Sequence, residues 1–231
     1  RAAYQQAFPE LQAKRCLVIP HGWAPDVTAP VRPTSDHLAH LKGKAVLAFT
    51  GRVTGAIPLA PFLRVLADVL DRHPVLRGTV MLHLTGNQTP ETLAELAAFG
   101  ARHPGAVDLH PAVPQPAAIE VMREATAVLL LNNTTYPGVV PLKTSDYMVS
   151  GAPILVYSET GEGAAMVRRT GAGIVVREGD ADGLADALHS MIRNPRQHWS
   201  TVEREAWCRQ HSRSALSDRV LDAFREANSA P

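Results

Sequence analysis

Short apolar runs alternate with amphipathic stretches along most of this chain, and no other feature limits its fold so tightly. The runs are CLVI (16–19), AVLAFT (45–50), TVMLHL (79–84), AVDLH (106–110), AVLLL (127–131), PILVY (153–157) and AGIVV (172–176). Between two of them Phe62, Val65, Leu66, Val69 and Leu70 recur at helical spacing, which predicts one apolar helix face. Leu184, Leu188, Met191 and Ile192 predict a second. Runs without internal alternation are apolar on both faces, so each strand needs cover on both sides of its sheet. The pattern predicts an α/β domain: a Rossmann-like, doubly wound parallel sheet with helices on both faces, joined by right-handed crossovers.

That domain is placed at 44–195. Residues 1–19 read as a helix followed by the strand CLVIP. Residues 20–43 contain PHGWAPDVTAPVRPTSD, rich in proline and poor in apolar anchors, and read as a linker. Residues 196–231 read as C-terminal helices with Trp199, Val202, Trp207, Leu216, Val220, Leu221 and Phe224 on their apolar stripes. A lone helix and strand cannot form a domain. Residues 1–19 are therefore expected to pack on something outside this sequence or on the C-terminal helices.

Composition excludes several classes. With 45% hydrophobic residues over 231 positions, the chain can bury a sizeable core. Its 23 Lys and Arg against 22 Asp and Glu leave a net charge of +1, which gives no electrostatic reason to expect a nucleic-acid partner. Cys16 and Cys208 form neither a CxxC nor a ligand cluster, which argues against a zinc site or a disulfide scaffold. No run approaches the ~18 apolar residues of a membrane span. The first residue is Arg1 rather than methionine, and the chain is expected to be a piece of a longer protein.

Four segments could carry chemistry. In FTGRVTGAIP (49–58) a strand ends at Thr50 and a helix begins near Pro58, with Gly51 and Gly55 between. Ligands of open parallel sheets bind at the carboxyl ends of strands. Glycines there let the backbone approach an anion, the next helix offers free N–H groups, and Arg52 adds a bidentate phosphate donor. GxGxxG is absent and no acidic residue sits suitably after a second strand, which argues against a dinucleotide site of the NAD type; GxxxxGK[ST] is absent too, which excludes a P-loop. In NNTTYPGVVPLKTSDYMVSGAPIL (132–155) a helix starts near Pro141 and stops at Ser150-Gly151. Lys143 and Asp146 share one face of it. The lysine can neutralise phosphate and the acid can accept from ribose hydroxyls; the plainer alternative is a surface Lys–Asp pair. In VDLHPAVPQPAAIEVM (107–122) prolines stiffen a loop whose backbone could frame a base, and His110 reads as structural. In GEGAAMVRRTGAGIVVREGD (161–180) Gly171 reads as a helix C-cap.

Together these segments resemble a known pattern. PHG (20–22) is similar to the "IPNG" that ends the first lobe of two-lobed GT-B glycosyltransferases, and FTGR (49–52) to their "vGR" loop. AVLLLNN…GVVPLKTSDYMVSGAPILVY resembles the "advlLlp…g.vPlKlfEYlaaGrPIla" signature of the large retaining group 1, family 4-like glycosyltransferases. TGAGIVVREGDADGLADAL resembles their "tgaGivv..gDpeaLaeai". The resemblance covers nearly all of 16–195 in order and spacing. It implies one lobe of a GT-B fold, the C-terminal lobe that binds a nucleotide-diphosphate sugar. Residues 1–19 would then be the remnant of a preceding N-terminal lobe.

By position, the resemblance puts Lys143 near the sugar diphosphate, Asp146 where a glutamate binds the ribose, and Gly51 and Arg52 in the loop facing the diphosphate. Ala112 and Val113 match the loop that frames the base. Gly138 falls where many members carry an acid near the transferred sugar, so that contact would come from backbone or from Thr134 or Thr135. The implied activity is glycosyl transfer without metal or other cofactor, with Lys143 and Arg52 stabilising the departing diphosphate and retention of anomeric configuration. The implied partners are the nucleotide-sugar donor, the missing N-terminal lobe and a saccharide or lipid-linked acceptor, with no nucleic acid. The implied location is cytoplasmic, or membrane-peripheral in a longer parent protein. Two other readings stay open: a non-catalytic nucleotide- or protein-binding module, and a nucleotide-sugar epimerase of the same fold.

Overall fold

The computed structural model describes residues 2–8, 10, 16–24, 37–54, 57, 59–131, 140–194 and 196–229. Six strands form one wholly parallel sheet: β1 (Ala45–Thr50), β2 (Val80–Thr85), β3 (Val107–His110), β4 (Ala127–Leu131), β5 (Ile154–Tyr157) and β6 (Gly173–Val176). Their order is β3-β2-β1-β4-β5-β6. The chain winds outward from β1 in one direction, returns, and winds outward in the other, so the order reverses between β1 and β4. That is the point where a crevice opens at the carboxyl end of such a sheet.

Side-chain alternation explains the two layers of cover. Leu47, Phe49, Leu82, Leu84, Leu129, Leu131, Leu155 and Tyr157 point to one face. There they meet Phe62, Leu66 and Leu70 of α2 (Leu59–Arg72), Leu96 of α4 (Pro90–Arg102) and Leu184 and Leu188 of α8 (Ala181–Arg193). The short α3 (Pro74–Thr79) leads into β2. On the other face Val128, Leu130, Ile154 and Val156 pack against α5 (Gln115–Glu124), α6 (Lys143–Ser150) and α7 (Glu162–Thr170). Val46, Ala48 and Met81 meet Val121 and Ala125 there. In the predicted helix faces Val65 is only half-buried and Ile192 is 38% exposed; Ala185 and Ala187 are buried on α8 instead.

The run CLVI, expected to be a strand, forms none. An apolar run becomes a strand only beside a partner edge, and among the described residues these four pair with no strand. Leu17, Val18 and Ile19 are exposed. Preceding them, α1 spans Ala2–Ala7. At the start of the stretch read as a linker, Gly22 and Ala24 are buried and Trp23 is tied to the junction of α9 (Val202–Gln210) and α10 (Arg213–Ser229). The Trp23 N–H donates to His211 O (3.1 Å), its carbonyl accepts from Arg213 N (2.9 Å) and its indole N–H donates to Cys208 O (2.7 Å). Among the described residues, no helix is long and apolar enough to cross a membrane.

Candidate functional site

A cleft of about 460 Å³ opens at the carboxyl ends of β1 and β2, beneath the first turns of α5 and α6. Thr50 and Gly51 follow from β1, Thr85 and Gly86 from β2, Ala112 and Val113 from the loop after β3, and Lys143 and Asp146 from α6. The floor is held by backbone. The Gly51 N–H donates to Thr85 O (2.8 Å), and the Gly86 N–H donates to His110 O (3.0 Å). Gly86 has φ +146°, and a Cβ there would lie 2.6 Å from Gly51 O, so the two loops meet only because this residue is glycine. The Gln88 amide locks the same corner. Its Nε2 donates to Gly51 O (2.9 Å), and its Oε1 accepts from Val53 N (2.9 Å).

Lys143 extends over the face of Phe49, with Nζ 3.5 Å from the ring centroid. No group among the described residues hydrogen-bonds that nitrogen, although it is buried. Burial disfavours the ammonium and lowers the Lys143 pKa to about 7. Gly51 is its near neighbour: a Cβ built on Gly51 would lie 3.8 Å from Nζ. No side chain caps the start of α6, so the positive end of the helix dipole adds to the unpaired charge.

Asp146 does not pair with Lys143. Its two carboxylate oxygens accept from Gln115 Nε2 at 3.2 and 3.3 Å, across the cleft from α5. Burial raises the Asp146 pKa above the ordinary carboxylate value; the Gln115 hydrogen bond and the charges of His21 and Arg213 pull against that rise. The surface Lys–Asp pair, which the spacing left open, is therefore absent: both groups face the cleft with their charges uncompensated by each other.

Of the residues singled out in the sequence, Gly51, Ala112, Val113, Lys143 and Asp146 line one cleft. Arg52 is not among the lining residues. It is exposed, and its charge reaches Glu91, whose carboxyl is held low chiefly by its own backbone N–H and by Thr89. Adjacency to Gly51 did not fix direction, because the positive φ of Gly51 (96°) turns the chain there. Gly138, Thr134 and Thr135 lie outside the described residues. His21, Thr85, Gly86, Gln115 and Arg213 complete the cleft and were not singled out as site residues. Gly86 carried a readable signal, a glycine directly after a strand like Gly51. Arg213 carried none, since it arrives from the C-terminal helices. His21 lies in the PHG motif and is drawn in by Ser145 Oγ, which donates to His21 O (2.9 Å).

A model of the family described as Glycosyl transferases group 1 matches residues 44–194. A D-inositol 3-phosphate glycosyltransferase of Thermobifida fusca is 28% identical over 194 residues, covering 79% of this chain and 42% of that relative. The chain thus spans less than half the length of that relative. Among solved structures, a UDP-forming α,α-trehalose-phosphate synthase from Burkholderia vietnamiensis superposes with a TM-score of 0.71 at 18% identity, over 90% of this chain and 52% of that one. An E. coli structure described as bound with UDP-2-fluoro glucose superposes with a TM-score of 0.68 at 12% identity, over 87% of this chain and 50% of that one.

Proposed function

From the premise that the chain belongs to the group 1 glycosyl transferases, we propose that its cleft binds a nucleotide-diphosphate sugar as the donor of a glycosyl transfer. The observation that carries this reading is the buried Lys143 ammonium, without a hydrogen-bond acceptor among the described residues, at an uncapped helix start beside Gly51. A diphosphate would supply the missing acceptors and the compensating charge. Asp146, which accepts from the Gln115 amide, would accept from ribose hydroxyls, and the Ala112–Val113 backbone would frame the base. The UDP-sugar in a neighbour of the same fold supports this donor class.

Chemically, the proposed task is to stabilise a leaving diphosphate. A preorganised cation at the developing charge does this without metal, and removing one such group from an active site commonly costs about 10²–10³ in rate. Lys143 would carry this role. Arg213, which lines the cleft, would stand in for the exposed Arg52. Transfer would proceed with retention of anomeric configuration, and the saccharide or lipid-linked acceptor would be held by a preceding lobe. On this reading the 231-residue chain binds nucleotide but does not transfer sugar.

A thermal-shift screen against UDP, GDP, ADP and their sugar conjugates tests the reading, since a ligand at 100 times its Kd stabilises by about 2.7 kcal/mol. One of these nucleotides should raise Tm. No shift with any of them, or sugar transfer by the isolated chain, would contradict it.

A further inference from the structure

A chain of hydrogen bonds runs from the surface to the cleft wall on the face of the sheet beneath α5. His83 on β2 is 1% exposed and has both ring nitrogens engaged. Its Nδ1 is 2.6 Å from Asp108 Oδ2 on β3, and its Nε2 is 2.6 Å from Thr85 Oγ1, two residues along its own strand. The same Asp108 oxygen is 3.1 Å from His40 Nε2 at the surface. Thr85 is the last residue of β2, lies between Thr50 and His110 in register, and lines the cleft.

Hydrogen-bond inventory settles the proton positions. An ionised carboxylate only accepts, so Asp108 requires the proton of a neutral His83 on Nδ1. Nε2 is then an acceptor, and the Thr85 hydroxyl must donate to it. The Thr85 hydrogen is thereby committed inward, and the oxygen can offer only lone pairs to the cleft. Protonating His83 reverses this. Nε2–H would donate to Thr85 Oγ1, and the hydroxyl hydrogen would turn toward the ligand.

We propose that Thr85 contacts the bound nucleotide as a hydrogen-bond acceptor, and that His83, oriented by Asp108, is the positioning residue that fixes this polarity. The group selected at Thr85 is then a donor, a sugar hydroxyl or a base N–H. Phosphate oxygens, which only accept, are excluded from this wall and left to Lys143. The inference rests on the nucleotide reading of the cleft.

The groups facing His83 favour the neutral, Nδ1-protonated form at neutral pH. Burial lowers the imidazole pKa, opposed by the hydrogen bond and charge of Asp108 and reinforced by His110 and His40. Burial would raise Asp108, but the hydrogen bonds from His83 and His40 outweigh it and keep the carboxyl low. β1 presents Ala48 and Thr50 on this side, and Val121 of α5 and Ala125, just past its end, pack there. Glu124 is occupied by the Leu38 N–H (2.8 Å).

The test is titration calorimetry of UDP, GDP and ADP against the parent chain, Thr85→Val, Thr85→Ser and Asp108→Asn. At pH 7.5 Thr85→Val should weaken whichever nucleotide binds by about fivefold, and Thr85→Ser should restore it to within about twofold. The ratio of parent affinity to that of Thr85→Val cancels the ligand's own phosphate titration. It should fall toward unity as pH drops well below the ordinary imidazole range, because burial lowers the pH at which His83 gains its second proton. If Thr85→Val does not fold, the ratio of parent affinity to that of Asp108→Asn carries the same test, because asparagine no longer dictates the tautomer. Equal binding by parent and Thr85→Val, failure of Thr85→Ser to restore binding, or a ratio independent of pH would each overturn the proposal while leaving the nucleotide reading intact. If the parent binds none of the three nucleotides, both fall together.

Discussion

Two buried cations flank the same helix and meet opposite fates. At the end of α6, Arg204 of α9 is 3% exposed. Its guanidinium donates to Met148 O (2.9 Å), Tyr147 O (2.8 Å), Ala152 O (2.9 Å) and Trp199 O (3.2 Å). The first three belong to the end of α6 and the loop after it, where a helix leaves acceptors unpaired and carries partial negative charge, and the fourth to the short turn Arg196–Trp199. At the start of α6, Lys143 has no acceptor among the described residues and sits at the positive pole. Neither cation has a carboxylate partner among the described residues. Burial therefore lowers both, Arg204 to about 10 and Lys143 to about 7, but among the described residues only the arginine finds acceptors. A satisfied buried charge serves the fold. An unsatisfied one weakens the fold unless something beyond the described residues completes it, and on the proposed reading that is the diphosphate of the donor.

The comparison breaks first, and most heavily, at Arg204. Arg204→Leu should strand several buried carbonyls and cost about 3 kcal/mol or more. For a domain this size that is roughly 6–12 °C in Tm. Arg204→Lys should recover only part of this, because three ammonium hydrogens cannot reproduce the planar fork. A Tm within about 2 °C of the parent for Arg204→Leu would mean that the carbonyls find other partners.

Lys143→Met should do the reverse. The thioether chain can still lie on Phe49, and a desolvated charge is removed, so Tm should hold or rise. Nucleoside diphosphate affinity should fall by about 10–100-fold, with nucleoside affinity changed little, since hydrogen bonds to charged groups contribute about 1.5–3 kcal/mol. Calorimetry on both ligands reads the contrast. Equal loss for both, or a lowered Tm, would make Lys143 a structural residue like Arg204.

The pH dependence sharpens the same point. In the ligand-free fold Lys143 releases its proton near pH 7, whereas the unfolded chain holds it to the ordinary value of 10.5. Between those values the unfolded state binds more protons, so this residue's contribution to stability rises with pH across the window and its penalty is fully present below about 7. Denaturation curves of parent and Lys143→Met at about pH 6.5, 8 and 9.5 should converge as pH rises. Diphosphate binding should take up a proton above about pH 7, and affinity should decline there by at most about tenfold per unit. Parallel curves would show that Nζ is hydrated in solution.

Much of this arrangement was legible in the chain because it is local. The unbroken runs AVLAFT and AVLLL named strands covered on both faces, Gly51 named a strand-end loop, and Pro141 and Gly151 bracketed α6. Spacing put Lys143 and Asp146 on one face but could not say that one would meet Phe49 and the other Gln115, because those partners come from β1 and α5. CLVI carries the same local signal as a strand, yet strand formation is decided by a partner edge that no local pattern encodes. Arg213 and His21 enter the cleft only through the docking of residues 20–24 on the α9–α10 junction, by way of hydrogen bonds between the two ends of the sequence.

The smallest effect belongs to Asp146, where a protein donor already shares the carboxylate that the ligand would meet. In the free cleft the Gln115 amide already donates to both carboxylate oxygens, so a ribose hydroxyl meets a carboxylate that is already partly satisfied. The net gain is then nearer the ~0.5–1.5 kcal/mol of an exchanged hydrogen bond than the full value for a bare charge. Asp146→Asn should accordingly weaken ribonucleotide binding by roughly two- to tenfold. Gln115→Leu should leave the carboxylate unpaired and raise its pKa further, because Gln115 is the hydrogen bond that holds the value down. That variant should tighten binding slightly above the carboxyl's pKa and weaken it below. The separating measurement is a 2′-deoxynucleotide. It should bind the parent less well than the ribonucleotide, and the difference should vanish in Asp146→Ala. If the deoxy penalty survives that substitution, the ribose is read elsewhere, and Asp146 serves only to pin α5 to α6 through Gln115.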